Sequence, residues 1–251
     1  MALPFKSTVN CDMGEGYSLY KMGADGSLMK RIHLANVACG FHAGDFTIMD
    51  KTVQLAKAHG VLVGAHPSLP DRQGFGRREM SIDADELGNC ITYQVGALCG
   101  FLTKYGMQLN HIKPHGAAYG MTSRDLVLAR AVALVAKSFG VGIMGLAGTY
   151  HQQAAQEVGV PFIAEWFADL EYSPEGKLLI TREHTPVSQS TVRERVERLL
   201  TRREITTTSG ALPFAADVQE VSICCHSDTP GAVEIATTVK TMVDIHNGKQ
   251  E

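Results

Sequence analysis

The amino-acid sequence predicts an α/β fold, a closed seven-stranded (β/α) barrel. Short β-branched or apolar runs alternate with longer amphipathic segments through most of the 251 residues, a pattern typical of repeated βα units around parallel strands. Because α/β barrels of this length commonly form one unit, we expect residues 1–251 to be a single domain. The predicted strands are Lys6–Cys11, Ile32–Ala38, Val61–Ala65, Leu109–Lys113, Val141–Leu146, Pro161–Trp166 and Glu220–Cys225.

The helices between these strands are indicated by apolar residues that recur at helical spacing. Met49, Val53 and Ala56 share one face of a helix. A longer helix is predicted from Asp83 to Tyr105, and another follows Ser188. Such amphipathic helices coat the outside of a barrel with their apolar faces turned inward.

Two connections and one glycine motif refine this architecture. Tyr172–Thr181, with Pro-Glu-Gly in its middle, predicts a β-hairpin. Thr206–Pro213 begins with the most polar connection of the chain and is predicted to be a mobile loop. The only Gly-x-Gly-x-x-Gly match, Gly140–Gly145, overlaps a predicted strand instead of following one. A barrel is therefore favoured over a dinucleotide-binding sheet.

Composition argues against several classes of protein. The net charge is −3 without a basic cluster typical of nucleic-acid binding. The longest apolar stretch, Phe139–Gly148, is shorter than the roughly 20 residues of a membrane span. The first residues lack the features of a signal peptide, so a cytoplasmic location is expected. The six cysteines have no CxxC spacing and are expected to be reduced and mostly buried, with a nucleophilic Cys11 or Cys39 as the alternative.

Polar residues follow nearly every predicted strand. Because the carboxyl ends of parallel strands face the ligand, we expect these turns to form one site. The first turn, residues 10–16, contains Asp12 and Glu15 among glycines. Two such carboxylates can hold a cation or act as acid and base, and the alternative is an ordinary Asp-Gly turn.

The second and third turns add histidines. His42 and Asp45 lie in the glycine-rich segment after the second strand, where Asp45 is expected to cap the next helix. His66 follows the third strand directly, and Pro67 prevents that strand from continuing. A buried histidine needs a partner for each ring nitrogen, which favours a ligand or catalytic role for His66.

Basic residues follow in two further turns. Arg77 and Arg78 could hold a carboxylate or phosphate in bidentate fashion, or could belong to a solvated charged turn. Lys113 and His115 end the fourth strand, and Lys113 could stabilise negative charge on an oxygen or form an internal ion pair. His111 is interpreted as structural.

The last two strands also lead to polar residues. Glu165 and Asp169 accompany the sixth strand, while His226 and Asp228 follow the seventh. Asp228 precedes the last helix, so helix capping is its alternative role. These side chains are expected at the same end of the barrel as the histidines.

Five motifs occur in a fixed order: Asn-Cys-Asp-Met-Gly-Glu-Gly (10–16), Ala-Cys-Gly-Phe-His-Ala-Gly-Asp (38–45), Gly-Ala-His-Pro-Ser (64–68), Gly-Phe-Gly-Arg-Arg (74–78) and Lys-Pro-His-Gly-Ala (113–117). Together they resemble the LamB/YcsF family, which includes the A subunit of bacterial 5-oxoprolinase and lactam-utilisation proteins. The resemblance extends over nearly the whole chain and implies a seven-stranded barrel similar to the polysaccharide deacetylases.

The resemblance also implies an activity. The expected reaction is ATP-dependent cleavage of 5-oxoproline to glutamate, together with B and C subunits. By analogy with the deacetylases, Asp12, His42 and His66 would form a metal-binding or catalytic corner, although their His-x-x-x-His spacing is absent after His66. No P-loop sequence occurs, so ATP is expected to bind unconventionally or to a partner subunit. Assembly of this chain into a homo-oligomer is kept as an alternative.

Ring opening requires a base for water, cations for phosphate and a clamp for the substrate. The residues expected to be catalytic are Asp12, Glu15, His42, His66, Lys113 and His115. Those expected to bind substrate or phosphate are Asn36, Arg77, Arg78, Glu165, Asp169, His226 and Asp228.

The last third of the chain departs from the family's usual pattern. Leu170 stands where an arginine usually follows Phe-Ala-Asp, Ser227 replaces a glycine, and Thr181–Val187 lacks the usual Pro-Gly-Ala turn. A related lactam without the carboxylate, or one held differently, is therefore an alternative substrate. Two other functions are kept as alternatives, a metal-dependent deacetylase or amidohydrolase acting alone and a non-catalytic small-molecule-binding barrel.

Overall fold

The computed structural model describes residues 5–179, 186–227 and 229–248. Seven parallel strands form a closed barrel in the order β1-β11-β6-β5-β4-β3-β2, which confirms the predicted fold and all seven predicted strands. Four further strands form two hairpins outside the barrel. In chain order the strands are β1 (Lys6–Met13), β2 (Leu34–Ala38), β3 (Leu62–His66), β4 (Leu109–Ile112), β5 (Gly142–Leu146), β6 (Phe162–Phe167), β7 (Glu171–Tyr172), β8 (Leu178–Leu179), β9 (Glu204–Thr207), β10 (Gly210–Pro213) and β11 (Glu220–Cys224).

The helices surround the barrel and shield its outer face. Two predicted features of their start points are confirmed: Asp45 accepts hydrogen bonds from the N–H groups of Thr47 and Ile48, and the long helix begins just after Asp83. No helix in the described part of the chain is long and apolar enough to cross a membrane. The helices are α1 (Asp25–Leu28), α2 (Phe46–His59), α3 (Ala84–Lys104), α4 (Gly116–Arg124), α5 (Leu126–Ser138), α6 (Tyr150–Val158), α7 (Gln189–Arg202) and α8 (Ala232–His246).

The two hairpins test the predictions for the connections. Antiparallel pairing of β7 with β8 confirms the predicted hairpin over its described residues, and Thr181 lies outside them. The predicted mobile loop at Thr206–Pro213 is wrong, because β9 and β10 pair as antiparallel strands there. Ile205 and two threonines favour a pleated strand, and Gly210 lies at the turn.

The residues of β1 alternate between two environments. Val9, Cys11 and Met13 are fully buried in the main apolar core that β1 shares with the helices. The intervening side chains, including Asn10 and Asp12, are polar and belong to a hydrogen-bonded network across several strands. Each strand end can therefore place a polar group at the top of the barrel without disturbing the core.

The barrel interior is polar in its middle and apolar towards its amino end. Leu34, Met144 and Ile163 form a separate buried cluster. Beside it, Asn10 donates to Ser222 Oγ at 2.9 Å, and Asn36 donates to Asn10 Oδ1 at 2.8 Å. These groups are buried, and satisfied hydrogen bonds make their burial tolerable.

His111 belongs to this interior network, as its predicted structural role requires. Its Nε2 lies 2.7 Å from Asn36 Oδ1. Gly64 is essential to this arrangement, because a Cβ atom there would collide with the His111 ring. The network links β1, β2 and β4 directly below the polar strand ends.

All six cysteines are free thiols. Four are buried, whereas Cys90 and Cys99 are only half-buried. Burial raises the pKa of Cys11 well above its usual value and that of Cys39 to about 12. The resulting scarcity of thiolate favours the predicted packing role over a nucleophilic one.

Candidate functional site

The floor of the site is a buried lysine between two carboxylates. Lys113 Nζ lies 2.8 Å from Asp12 Oδ1 and 2.8 Å from Glu165 Oε1. The Lys113 and Glu165 side chains are only 4% and 0% exposed. Burial opposes the charge of Lys113, but Asp12 and Glu165 raise its pKa well above the usual value. The internal ion pair predicted as one alternative for Lys113 is therefore present.

The two carboxylates have different surroundings. Glu165 Oε2 accepts a hydrogen bond from the Tyr119 hydroxyl at 2.8 Å, whereas its Oε1 contacts Lys113 as an ion pair without the geometry of a directed hydrogen bond. Asp12 remains 15% exposed and accepts from Asn36 Nδ2 at 2.8 Å. Asn36 lies fully buried below Asp12, where it supports that carboxylate.

Asp12 also contacts the first histidine of the site. Its Oδ2 lies 3.3 Å from His66 Nε2. Burial would raise the pKa of Asp12, but His66 and Lys113 hold it well below the usual range. Asp12 is thus an ionised carboxylate that reaches from the lysine to the histidines.

His66 and His115 face each other through nitrogens that carry lone pairs. His66 Nδ1 donates to the Lys113 carbonyl at 2.8 Å, and His115 Nε2 donates to the Phe75 carbonyl at 2.8 Å. A carbonyl only accepts, so the hydrogen of each neutral ring is fixed on those nitrogens. The other two nitrogens lie 2.9 Å apart. A proton or a metal cation must therefore lie between the two rings or beside both.

His42 and Glu15 complete the cluster. The His42 ring stacks on His115 with centroids 3.7 Å apart, and its Nε2 lies 3.0 Å from Glu15 Oε1. His42 Nδ1 is buried without a hydrogen-bond partner among the described residues. Burial lowers the pKa of both His42 and His115 well below the usual value. Neutral imidazoles are the form that binds metal.

These residues fit a divalent metal ion. Glu15, His42, His66 and His115 each offer a ligand atom, and the four atoms lie within 4.8 Å of one another. The predicted metal ligands are Asp12, His42 and His66. The cluster contains the two histidines together with Glu15 and His115, and Asp12 is not one of its four residues. Imidazole and carboxylate donors suit zinc and neighbouring transition metals.

The formal charges of the site point the same way. Asp12, Glu15 and Glu165 contribute three carboxylates, whereas Lys113 contributes a single ammonium group. These four residues thus carry more negative than positive charge, and a bound cation would offset the excess. Uncompensated buried charge is costly, so the residues as arranged favour a bound cation.

A pocket of about 310 Å³ opens above this floor. Asp12, His66, Lys113 and His115 lie at its base. Its remaining lining mixes apolar and charged side chains. The lining includes Ala117, Tyr119, Phe167, Leu170, Leu178, Arg77, His226 and the ion pair between Glu79 and Arg124.

A larger hollow of about 840 Å³ lies at the opposite end of the barrel. It contains none of the predicted site residues, and two of its lysines, Lys6 and Lys240, are paired with Glu220 and Asp244. The smaller pocket is therefore the candidate site, as expected for the carboxyl ends of parallel strands.

His226 brings a positive charge to the lining of the pocket, where its ring stacks on Phe167. His226 Nδ1 lies 2.9 Å from Asp169 Oδ1, and Thr229 donates to Asp169 Oδ2 at 3.1 Å. Burial disfavours a charged His226, but Asp169 outweighs it and raises the pKa of His226 to about 9. An imidazolium therefore faces the pocket near neutral pH. Asp228 lies outside the described residues.

The two adjacent arginines have different positions. Arg77 lines the pocket, with its guanidinium 5.1 Å from the centre of the Phe75 ring. Arg78 instead forms an ion pair with Asp71, whose pKa it lowers to about 2. The structure thus brings Arg77 to the candidate site and leaves Arg78 outside it.

Three residues with direct roles in this arrangement were missing from the sequence prediction: Asp71, Phe75 and Tyr119. Asp71 stands three residues before Gly74, and such a spacing is typical of a side chain that accepts a hydrogen bond from its own turn. Nothing comparable identifies Phe75 or Tyr119, since their roles depend on contacts with distant strands.

The chain matches known proteins along nearly its full length. The LamB/YcsF family profile matches residues 8–251. A lactam utilization protein lamB from Emericella nidulans is 47% identical over 97% of this chain and 96% of its own length. The A subunit of a 5-oxoprolinase from Tolumonas auensis is 41% identical over 92% of this chain and 93% of its own.

A solved structure supports the same relationship. The crystal structure of a lactam utilization protein from Thermus thermophilus has a TM-score of 0.87 and 35% identity, and the match covers 96% of this chain and 97% of the other. The agreement of profile, sequence and backbone leaves one conclusion, that this chain is a member of the LamB/YcsF family.

Proposed function

We propose that this chain is a component of an ATP-dependent 5-oxoprolinase that opens the amide ring of 5-oxoproline or a related lactam. The observation that carries the proposal is the ionised Asp12, held between Lys113 and His66 at the base of a 310 Å³ pocket. The names of relatives that match nearly the whole chain support the same activity.

The floor residues suit hydrolysis of an amide. Asp12 would accept a proton from the attacking water. Lys113, whose ammonium group lies beside Asp12, would stabilise negative charge on the carbonyl oxygen or on the phosphoryl group that this oxygen receives. Breaking the carbon–nitrogen bond leaves the ring nitrogen to take up a proton, which Asp12 would return after accepting it from the water.

Glu15, His42, His66 and His115 would hold the metal ion in this proposal. A bound divalent metal supplies Lewis acidity and a more acidic water. His226 and Arg77, which also line the pocket, would bind an anionic group of the substrate.

ATP enters the proposal through activation of the amide. Phosphorylation of the lactam oxygen makes the ring carbon electrophilic. Addition of water and cleavage of the carbon–nitrogen bond then give an open-chain acyl phosphate, and a second water releases phosphate. Since this sequence has no P-loop, we assign nucleotide binding to partner subunits B and C.

The proposal leaves two choices for the substituent on the substrate ring, a carboxylate or none. Phe167, Leu170 and Leu178 form an apolar wall in the pocket. An apolar wall favours carbon–hydrogen surface over a carboxylate. A related lactam without the 5-oxoproline carboxylate is therefore the second candidate substrate.

The test is product release by the purified chain, with and without ATP and the candidate B and C subunits. Glutamate formed from 5-oxoproline only with ATP and all three subunits is the expected result. A γ-lactam lacking the carboxylate serves as the matched second substrate. Activity of this chain alone without ATP, abolished by a chelator, would instead establish a metal-dependent amidohydrolase. No product from either lactam under any condition would favour a binding protein.

A further inference from the structure

The loop Asp71–Arg78 runs along the rim of the histidine cluster. We propose that Asp71 is a positioning residue which, through the carbonyl of Phe75, fixes His115 so that its Nδ1 faces Glu15, His42 and His66. The inference rests on the metal ion of the proposed function. It identifies the groups behind His115 that would orient this ligand of the ion.

Asp71 holds both neighbours of Phe75. Its Oδ1 accepts a hydrogen bond from the Gly74 N–H at 2.9 Å, and its backbone carbonyl accepts one from the Gly76 N–H at 2.7 Å. Asp71 is itself anchored, because its N–H donates to the Leu69 carbonyl at 2.8 Å. The peptide groups on either side of Phe75 are therefore fixed by a single buried residue.

Phe75 adopts an uncommon backbone conformation. Its φ of +55° lies in the left-handed region, which is strained for a residue other than glycine. Such a conformation persists only where its surroundings impose it, and the bonds from Asp71 do so. The result is that the Phe75 carbonyl lies 2.8 Å from His115 Nε2 and determines which nitrogen of His115 carries the hydrogen.

The rest of the loop packs on the same rings. Phe75 makes edge contacts with His42 and His115, with ring centroids 5.3 and 5.2 Å apart. A Cβ atom on Gly76 would come within 2.9 Å of both histidines. The Gly76 carbonyl accepts from the Ala117 N–H at 2.8 Å, so the loop is also joined to the turn after His115.

Arg78 supports Asp71 from the solvent side. Its guanidinium pairs with both carboxylate oxygens of Asp71, and the Arg78 side chain is 62% exposed. Arg78 therefore anchors the loop instead of contacting a ligand. Removal of a partner that orients a metal-binding histidine typically lowers the metal affinity roughly 10- to 100-fold.

The experiment is titration of the full-length chain with Co²⁺ and Zn²⁺, followed by calorimetry and, for Co²⁺, by visible absorption. Asp71→Ala is expected to bind about 10- to 100-fold more weakly than the wild type and to show a changed Co²⁺ spectrum. Asp50→Ala is the matched control, since the Asp50 carboxylate bonds to Lys104 and Tyr105 and not to the loop or the histidines, so both measurements should be unchanged.

A pair of variants separates the backbone from the ring. Phe75→Gly and Phe75→Val both remove the aromatic ring, but only glycine adopts the left-handed conformation without strain. We expect Phe75→Val to bind metal more weakly than Phe75→Gly, because it displaces the carbonyl that orients His115. Circular dichroism and thermal midpoints identify variants that fail to fold. The metal affinities of Phe75→Val and Phe75→Gly are compared only for folded protein.

Two results would overturn the inference in distinguishable ways. A wild-type chain that binds neither Co²⁺ nor Zn²⁺ removes the metal from the proposed function and this inference with it. Wild-type binding that persists at equal affinity in Asp71→Ala, with Phe75→Val equal to Phe75→Gly, leaves the metal site intact and eliminates only the positioning role.

Discussion

The two halves of the barrel contribute different things to one pocket. Strands β1–β4 supply Asp12, His42, His66, Lys113 and other groups that form a packed, charged cluster. The half from β5 to β11 supplies Glu165 to the floor and otherwise forms walls, in which the His226 ring stacks on Phe167 of β6 and Leu178 comes from the β7–β8 hairpin. The first half suits chemistry, and the second suits selection of the substrate.

The connections explain this division. In the first half, neighbouring loops bond directly to one another: the Gly44 N–H donates to the Gly16 carbonyl at 2.8 Å, and the Ala117 N–H donates to the Gly76 carbonyl at 2.8 Å. In the second half, the connection after β6 extends into a two-stranded hairpin. The proposed reaction would therefore depend on the tied cluster, and the proposed choice of ring substituent on the wall.

The largest expected effect comes from the first half. Asp12→Asn and His66→Ala should each reduce turnover by about 10²- to 10⁴-fold, because the first loses the proposed base and the second a ligand of the proposed metal ion. Turnover is measured by product release from the assembled proteins, with circular dichroism to verify folding. Asp50→Asn, which alters a surface carboxylate, is the control. Unchanged turnover in both site variants would remove this corner from the mechanism.

The stability of the floor provides the next comparison. Lys113→Ala should reduce the free energy of unfolding by about 3–5 kcal/mol, because Asp12 and Glu165 lose their buried counterion. Lys104→Ala breaks an exposed, solvent-screened pair with Asp50 and should leave the free energy of unfolding nearly unchanged. Urea unfolding of both variants measures the difference. Equal losses would mean that the floor is stabilised mainly by other contacts.

The His226–Asp169 pair predicts a pH dependence for the second half. Folding raises the pKa of His226 from the usual 6.5 to about 9. The stabilisation is therefore complete below pH 6.5 and is lost as the pH rises through 9, an effect of about 3 kcal/mol. Urea unfolding between pH 6 and 9.5 should show the wild type losing its advantage over His226→Gln. A constant difference across that range would contradict the pairing.

Sequence patterns predict the barrel well because they report local periodicity. The seven strand positions follow from alternating apolar and polar segments, and polar residues at strand ends identify most of the site. Asp45 is recognisable as a cap because its contacts are local. The β9–β10 hairpin was missed because a polar threonine run resembles a loop, although β-branched residues also suit strands.

The rest of the site depends on contacts between distant residues. Arg77 and Arg78 are equivalent in sequence, yet only the fold pairs Arg78 with Asp71. Asn36 and Glu165 are polar and near strand ends, but both are buried below the pocket. Which side of a strand end reaches the ligand is set by barrel closure and strand register, and neither is determined by a local pattern.

The smallest expected effect lies in the apolar wall. Leu170 and Leu178 line the pocket, whereas Leu179, next to Leu178 on the hairpin, does not line it and is 39% exposed. Leu170→Ala should raise KM about 10-fold and leave kcat nearly unchanged, because the contact contributes to binding equally before and during the reaction. Leu179→Ala is the matched control. A fall in kcat for Leu170→Ala would mean that the wall also aligns the reacting bond, and the division between the two halves would no longer hold.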